Sequence, residues 1–449
     1  MGKVPSGKKI HSKSHHGRSK GQGNLREEMK FARSVIESPV APKIILTLYL
    51  LVYLTLGINT ELKQIELFPI PEHLLQDQIY YNRALTAALE HRDPYANRTI
   101  GTGYLYPPQA LLIVELISHI QPFFLRVAVN TVLNIALLVF IIYGVAKYYG
   151  YSIDETWYWF VFCLGFAPFL ELVHIGQINV ITMFGIFMMF FWESTSPVLS
   201  GAGLSLAVIT KVSPLLFLGY LVINKRYRVI VVTILATIFL SLLSILRYGI
   251  SPLLTYPNVF QGLLRQFLLT PNSQTLAAKL AVANYPEFQQ FLARLPVFLS
   301  QPIGAVIAVL TARYQIIQQT YTLYILFVLL LSALLAWRGK QPKEPLFIIT
   351  ALGMMLAPNI LWYHHYIFML LPVLVWMGWS KLNPSVIVWC CIVLLVVQID
   401  RRVPPYGLAI HIFSNISMLI VLFWQIRQFF PRKVEGQLVP VAQDNFERP

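Results

Sequence analysis

Charge is scarce in this chain: Asp, Glu, Lys and Arg make up 12% of its 449 residues, about half the share of a soluble globular domain. With 56% of residues hydrophobic, this excludes the two or three soluble domains that the length alone would suit. Cysteine is scarce too. Cys163, Cys390 and Cys391 all lie inside apolar runs, so helix packing is expected of them rather than a disulfide framework or a zinc site. Also lacking are a P-loop, a Gly-x-Gly-x-x-Gly fingerprint and an Asp-x-Asp pair to hold a metal-bound nucleotide sugar. No cofactor and no metal is therefore expected. If the chain is an enzyme, its activated substrate should arrive through the lipid phase. An aromatic-interleaved RNA or DNA module is missing as well, so no nucleic-acid partner is expected.

What is present is long apolar stretches. Uncharged runs at 127–146, 172–192, 314–337, 345–380, 382–399 and 403–425 reach the length of a bilayer-spanning helix, about 20 residues. Trp and Tyr stand near many of their ends, where interfacial belts form. The runs do not alternate, which argues against a β-barrel. The predicted fold is an all-α, polytopic integral membrane bundle of about 11–13 transmembrane helices, with membrane lipids as its immediate partners.

The net charge of +15 is concentrated in an N-terminal tail, residues 1–41, and in short segments at 224–228, 338–343 and 427–433. Such clustering fits cytoplasmic loops under the positive-inside rule. The tail is rich in Gly, Ser, His and Lys and reads as disordered rather than as a signal peptide. Met1-Gly2 with Ser6 matches a myristoylation pattern, and Asn97-Arg-Thr99 a glycosylation sequon. The embedded body is expected over 42–427, followed by a polar C-terminal tail at 428–449. Spans are expected near 44–59, 122–147, 156–173, 178–192, 198–223 (as one helix or two short ones), 229–249, 320–337, 345–361, 365–380, 384–400 and 407–426. Residues 106–120 and 295–312 could be short spans or re-entrant helices. Two long segments, about 60–106 and 250–294, are too polar to cross and are expected to face outside, with both termini in the cytoplasm. No internal repeat is evident, which weakens an inverted-repeat transporter architecture.

Candidate site residues fall in three groups and at one lone lysine. Residues 74–93 are helical in pattern until Asp93-Pro94 stops them. Leu74, Tyr81, Leu85 and Ala88 share one face, Asp77 lies at its edge, and Gln76, Arg83 and Glu90 face water. Asp77 can cap the helix or pair with a cation; partly desolvated, it can instead act as a general base. Glu171, His174, Gln177 and Asn179 form a second polar group, readable as an interfacial turn between two spans. Lys211 interrupts about 25 apolar residues and either snorkels to the interface or meets an anionic lipid phosphate. The third group is Trp362-Tyr363-His364-His365, in a charge-free stretch. Adjacent imidazoles can bind metal, shuttle a proton or bond a phosphate, but without a His-Glu-x-x-His spacing or further ligands a metal is not expected.

An ordered set of short motifs carries a resemblance. Asp77-Gln-Ile-Tyr-Tyr, Asp93-Pro-Tyr95 and Tyr104-Leu-Tyr-Pro-Pro108 come first, then Gly176-Gln-Ile-Asn179 and Gly203-Leu-Ser-Leu-Ala. Lys211-Val-Ser-Pro214, Lys225-Arg-Tyr-Arg228, Asn272-Ser-Gln274 and Pro358 with Trp362-Tyr-His-His365 follow. Over about 45–425 the chain resembles glycosyltransferases of family 87, polytopic GT-C enzymes. The resemblance implies a GT-C bundle in the plasma or inner membrane, with its active site at the extracytoplasmic face. It implies a polyprenyl-phosphate sugar donor, mannose being the family's best-known sugar, and a lipid or glycan hydroxyl as acceptor. It places Asp77 as the base of an inverting transfer, with Lys211, His364 and His365 receiving the donor phosphate. Tyr81, Tyr106, Glu171, His174, Gln177, Asn179, Asn272 and Ser273 are then pocket candidates. A transporter or lipid flippase is the alternative, which expects midplane charges on several helices and weak internal symmetry; a non-catalytic membrane scaffold is a third, which leaves the inward-turned Asp77 unexplained.

Overall fold

A computed structural model describes residues 76–96, 103–268, 343–356 and 363–399, together with Ile44, Thr47 and Leu48. The two tails, the expected spans at 320–337 and 407–426, the ambiguous segment 295–312, and Asn272 and Ser273 lie outside the described residues. Among the described residues every regular element is helical. The chain is an integral membrane protein built from apolar helices, as its composition predicts.

A surface helix comes first, α1 (Gln76–Leu89). After a 3₁₀ turn at Pro108–Ala110 follow α2 (Leu111–Ser118), α3 (Phe123–Tyr148), α4 (Ile153–Leu164), α5 (Ala167–Ile175), α6 (Asn179–Trp192) and α7 (Pro197–Thr210). A second 3₁₀ turn, Ser213–Leu215, leads to α8 (Leu216–Ile223), α9 (Tyr227–Tyr248) and α10 (Ser251–Leu268). Beyond the next described residues come α11 (Lys343–Leu356), a 3₁₀ helix at Tyr363–Met369, α12 (Leu370–Trp379) and α13 (Pro384–Ile399).

Among the described residues, only Leu125–Tyr148 within α3 and Tyr227–Tyr248 of α9 are long and apolar enough to cross a bilayer alone. The expected span at 156–173 is the bent pair α4 and α5, which meet at 55°. The expected span at 198–223 is two short helices, because the chain leaves α7 at Lys211, where the backbone is extended, and restarts behind Pro214. The segment 106–120 resolves into a 3₁₀ turn and the eight-residue α2. α6, with 14 residues, is about 21 Å long and shorter than a full crossing of about 30 Å. Helix α1 ends at Leu89 rather than at Asp93-Pro94: His91 turns into the left-handed region at φ 56°, and the chain has already left the helix when the proline arrives.

In lipid, apolar side chains gain little by meeting one another, so close helix packing relies on small residues. The pairing of α6 with α7 shows this. A Cβ on Gly185 would stand 2.4 Å from the Gly203 carbonyl oxygen, and one on Gly203 would stand 2.4 Å from the Met188 Cβ. The same interface hides polar groups in pairs: Thr182 and Thr210 hydroxyls meet at 2.8 Å, and Ser200 donates to the Met189 carbonyl at 2.7 Å. By contrast, α9 turns Ile234, Leu235, Ile238, Phe239, Leu242 and Leu246 outward, as a lipid-facing surface requires.

The far end of α6 is closed by charge. Glu193, its side chain fully buried, meets Lys343 of α11 at 3.3 Å and accepts from the Tyr220 hydroxyl of α8 at 3.1 Å. The Lys343 ammonium also stands over the Phe190 ring at 4.4 Å and the Tyr148 ring at 5.2 Å, where the negative ring faces favour a cation. Four helices are tied together there, none of it visible in the spacing of the sequence.

The glycine contact makes a direct test. Gly185→Val and Gly203→Val should each lower stability by about 1–3 kcal/mol through overpacking, read as a lower unfolding temperature in detergent. Gly219→Ala in α8, where an added Cβ meets nothing within 4 Å, should be neutral or slightly stabilising.

Candidate active site

Helix α1 buries Tyr81, Ala84, Leu85 and Ala88 and leaves Arg83 and Glu90 in water. Asp77, one turn before Tyr81, is thereby carried to the edge of the buried face, half-buried. Opposite it stands Gln177, only 5% exposed. Its position follows from local chain chemistry. Helix α5 ends on Gly176, which adopts the left-handed conformation (φ 75°, ψ 34°) that a Cβ would disfavour. The Gln177 N–H then closes back on the Leu172 carbonyl at 3.0 Å, and the chain turns straight into α6.

A side-chain amide has a donor end and an acceptor end, and both ends of Gln177 are used. Its Nε2 donates to the Asp77 carboxylate at Oδ2. Its Oε1 accepts from the Tyr106 hydroxyl, and from Tyr81 at 2.9 Å. The two phenols also meet at 3.0 Å. Burial holds both phenols well above their usual range, so each keeps its proton and serves as a donor.

Tyr106 is itself held by the motif upstream. The Asp93 carboxylate accepts the Tyr95 N–H at 2.9 Å, folding Asp93-Pro94-Tyr95 into a turn. The buried Tyr95 hydroxyl then donates to the Tyr106 carbonyl at 3.0 Å, and Tyr104 donates to the Pro107 carbonyl at 2.9 Å. Rings of Tyr81, Tyr95, Tyr104, Tyr106 and Tyr256 pack at centroid distances of 5.4–6.2 Å. The tyrosines form a wall behind Asp77.

Electrostatics follow from this burial. Desolvation pushes the Asp77 carboxyl up from its usual 3.8 to about 7, and the negative charge of Glu171 on α5 pushes the same way. The Gln177 N–H opposes the shift, because a donor favours the ionised form. A carboxyl that titrates near neutrality can take and return a proton at working pH.

The remaining predicted residues gather elsewhere on the same frame. Lys211, at the end of α7, places its ammonium 5.0 Å from the centre of the Phe368 ring. His364 and His365 stack edge to face at 4.6 Å on the 3₁₀ helix Tyr363–Met369, and Lys211 is close enough to His365 to act on it electrostatically. Helix α5, which carries Glu171 and His174, packs against α1 on one side and against this 3₁₀ helix on another. It joins the Asp77 group to the Lys211–histidine group. Asn179, fully buried, has no hydrogen-bond partner for its amide among the described residues. Among the described residues no cluster of three His, Cys, Asp or Glu side chains could hold a metal ion.

Sequence reasoning placed Tyr81, Tyr106 and Gln177 among pocket residues but did not pair Gln177 with Asp77. It missed the structural parts of Tyr95, Tyr104 and Tyr256. The motif Asp93-Pro-Tyr95 was a signal for the first; nothing in spacing points to Tyr256.

The raised Asp77 carboxyl has a stability consequence. The folded state binds this proton more tightly than the unfolded chain, so the contribution is fully present below about pH 3.8 and lost as pH rises through about 7. Asp77→Asn should therefore raise the unfolding temperature relative to the parent more at pH 8 than at pH 5. Equal changes at both pH values would mean that the carboxyl is not perturbed.

Comparison with known proteins returns a family model described as glycosyltransferase family 87, matching residues 104–361 and so more than half of the chain. The matched span contains Tyr106, Gln177 and Lys211; Asp77 precedes it and the histidine pair follows it. No curated protein and no solved structure matches.

Proposed function

The chain belongs to glycosyltransferase family 87, and from that membership we propose that it moves a sugar from a polyprenyl-phosphate donor to a lipid or glycan hydroxyl at the extracytoplasmic face, with Asp77 as general base. The observation that carries the assignment is the Asp77 carboxyl itself. It sits at the margin of a buried tyrosine wall, titrates near neutrality and is held by an amide donor.

In the proposed reaction the Asp77 carboxylate removes the proton of the acceptor hydroxyl. The acceptor oxygen attacks the anomeric carbon, and a new C–O bond forms as the bond from that carbon to the phosphate oxygen breaks. The electron pair leaves with the polyprenyl phosphate, and the proton on Asp77 passes to solvent. Attack from the face opposite the leaving group inverts the anomeric centre. Lys211 and the His364/His365 pair are suited to the departing phosphate, because fixed cations and donors stabilise charge as it develops. Helix α5, which contacts the elements carrying each group, relates the two ends of this transfer: proton removal at one, phosphate departure at the other. The residues at hand require no metal for it. Mannose is the sugar to test first.

Asp77→Asn should insert and fold as the parent does and lose sugar transfer by at least about 10²-fold, the scale of a general base. The measurement is transfer of radiolabel from polyprenyl-phosphate mannose, and in parallel from the glucose donor, to endogenous lipids in membranes. Transfer by the parent should fall as pH drops below about 7, where Asp77 becomes protonated. Full transfer by Asp77→Asn with either donor would remove Asp77 as the base.

A further inference from the structure

We infer that Gln177 is the positioning residue of the site: its amide, locked by the Tyr81 and Tyr106 hydroxyls, holds one oxygen of Asp77 and presents the other to the acceptor hydroxyl. The inference rests on the proposed role of Asp77 and adds the group that orients it.

The argument begins with the amide's two ends. An amide that turned over would set its carbonyl oxygen against the Asp77 carboxylate and its NH₂ against two phenol oxygens. The ionised carboxylate, an acceptor only, excludes this, and the phenols then donate to the carbonyl end left facing them. Tyr106 donates to Oε1, and Tyr81 stands 2.9 Å from Oε1 and 3.0 Å from the Tyr106 oxygen. The carboxylate thus selects the NH₂ end, and the two phenols hold the carbonyl end in place. With Oδ2 engaged by Nε2, the carboxylate cannot rotate freely about its Cβ–Cγ bond, and Oδ1 is left as the proton acceptor. Gln177 has no such freedom either, lying buried immediately after the left-handed Gly176.

The amide also sets protonation. Around Asp77, α5 contributes Glu171, whose charge favours the protonated form; the loop before α2 contributes Tyr106, and α1 itself Tyr81. On α2 and α9, which also pack against α1, Glu115 is engaged with Arg247 and Tyr248. Gln177 is the neutral N–H donor that the structure shows on the carboxylate. Removing it should make the ionised base harder to form, not easier.

Gln177→Met keeps the length and most of the volume but removes both amide ends. The expected result is a fall in kcat of about 10–100-fold, as for a misplaced reacting group. The KM for polyprenyl-phosphate mannose should stay within about twofold of the parent's, and the acidic limb of the pH profile should move to higher pH. Tyr81→Phe/Tyr106→Phe, which keeps Gln177 but leaves its carbonyl end unheld, should shift the limb in the same direction by less. This double variant carries the test if Gln177→Met fails to fold in detergent. The Asp77 carboxyl can also be followed without turnover. The infrared carbonyl band lost in Asp77→Asn should titrate near pH 7 in the parent and higher in Gln177→Met. An unmoved band and limb in both variants would overturn the inference, even where kcat falls, because a purely structural loss leaves the titration alone. Should Asp77→Asn retain transfer, the base assignment fails, while the infrared titration still decides whether Gln177 governs the carboxyl.

Discussion

A carboxylate taken out of water must be given a donor, or it will not stay ionised. The contact between Asp77 and the Gln177 amide supplies that donor, and much of the surrounding structure is arranged to keep the amide facing the right way. Tyr106 and Tyr81 hold its carbonyl end. Tyr95 holds Tyr106 through its backbone, and Asp93 folds the turn that delivers Tyr95. One hydrogen bond thus gathers residues from four stretches of sequence.

That arrangement needs a rigid support, and the bundle provides it in two ways suited to lipid. Near the site, α6 starts directly after Gln177 and is pressed against α7 at Gly185 and Gly203, where backbone meets backbone. At its far end α6 is anchored by the buried Glu193–Lys343 pair with Tyr220. Such a pair adds little net stability, because desolvating both charges offsets their attraction. It does define which helices meet, since breaking it would leave a charge buried alone. Small residues set the distance between helices, and the ion pair sets their register.

Much of the fold was legible in the residues. The expected spans near 122–147 and 229–249 marked α3 and α9, and the 3.6-residue spacing of Tyr81, Leu85 and Ala88 placed Asp77 at a buried edge before any contact was known. What periodicity could not show was where apolar runs break. The run at 198–223 reads as one span or two, and Lys211 with Pro214 decides for two. Helix α1 stops before the proline that seemed its terminator, because His91 takes a left-handed turn first. Contacts between distant segments were not legible at all. Gln177 is 100 residues from Asp77, and no local pattern encodes which polar residue will face which. The ordered motifs of the family drew both into one list, yet only the fold showed them touching.

The division of the polar residues into two groups is itself chemically informative. A base near neutrality beside Lys211 would have its proton affinity lowered by that cation, and would lose strength as it lost its proton. Placing Asp77 on α1 against tyrosines and Glu171, with Lys211 and the histidines on the other contact of α5, avoids this. Burial and the negative neighbour keep the carboxyl basic, and the Lys211 ammonium lies against the Phe368 ring instead. Both groups nevertheless share α5, so a shift of that short helix would alter them together. Its ends are pinned accordingly: Gly176 fixes the exit toward Gln177 and α6, and Pro168 stands in its first turn after the 55° bend from α4. Pro168 and Gly176 thus mark both ends of the short helix that the two groups share.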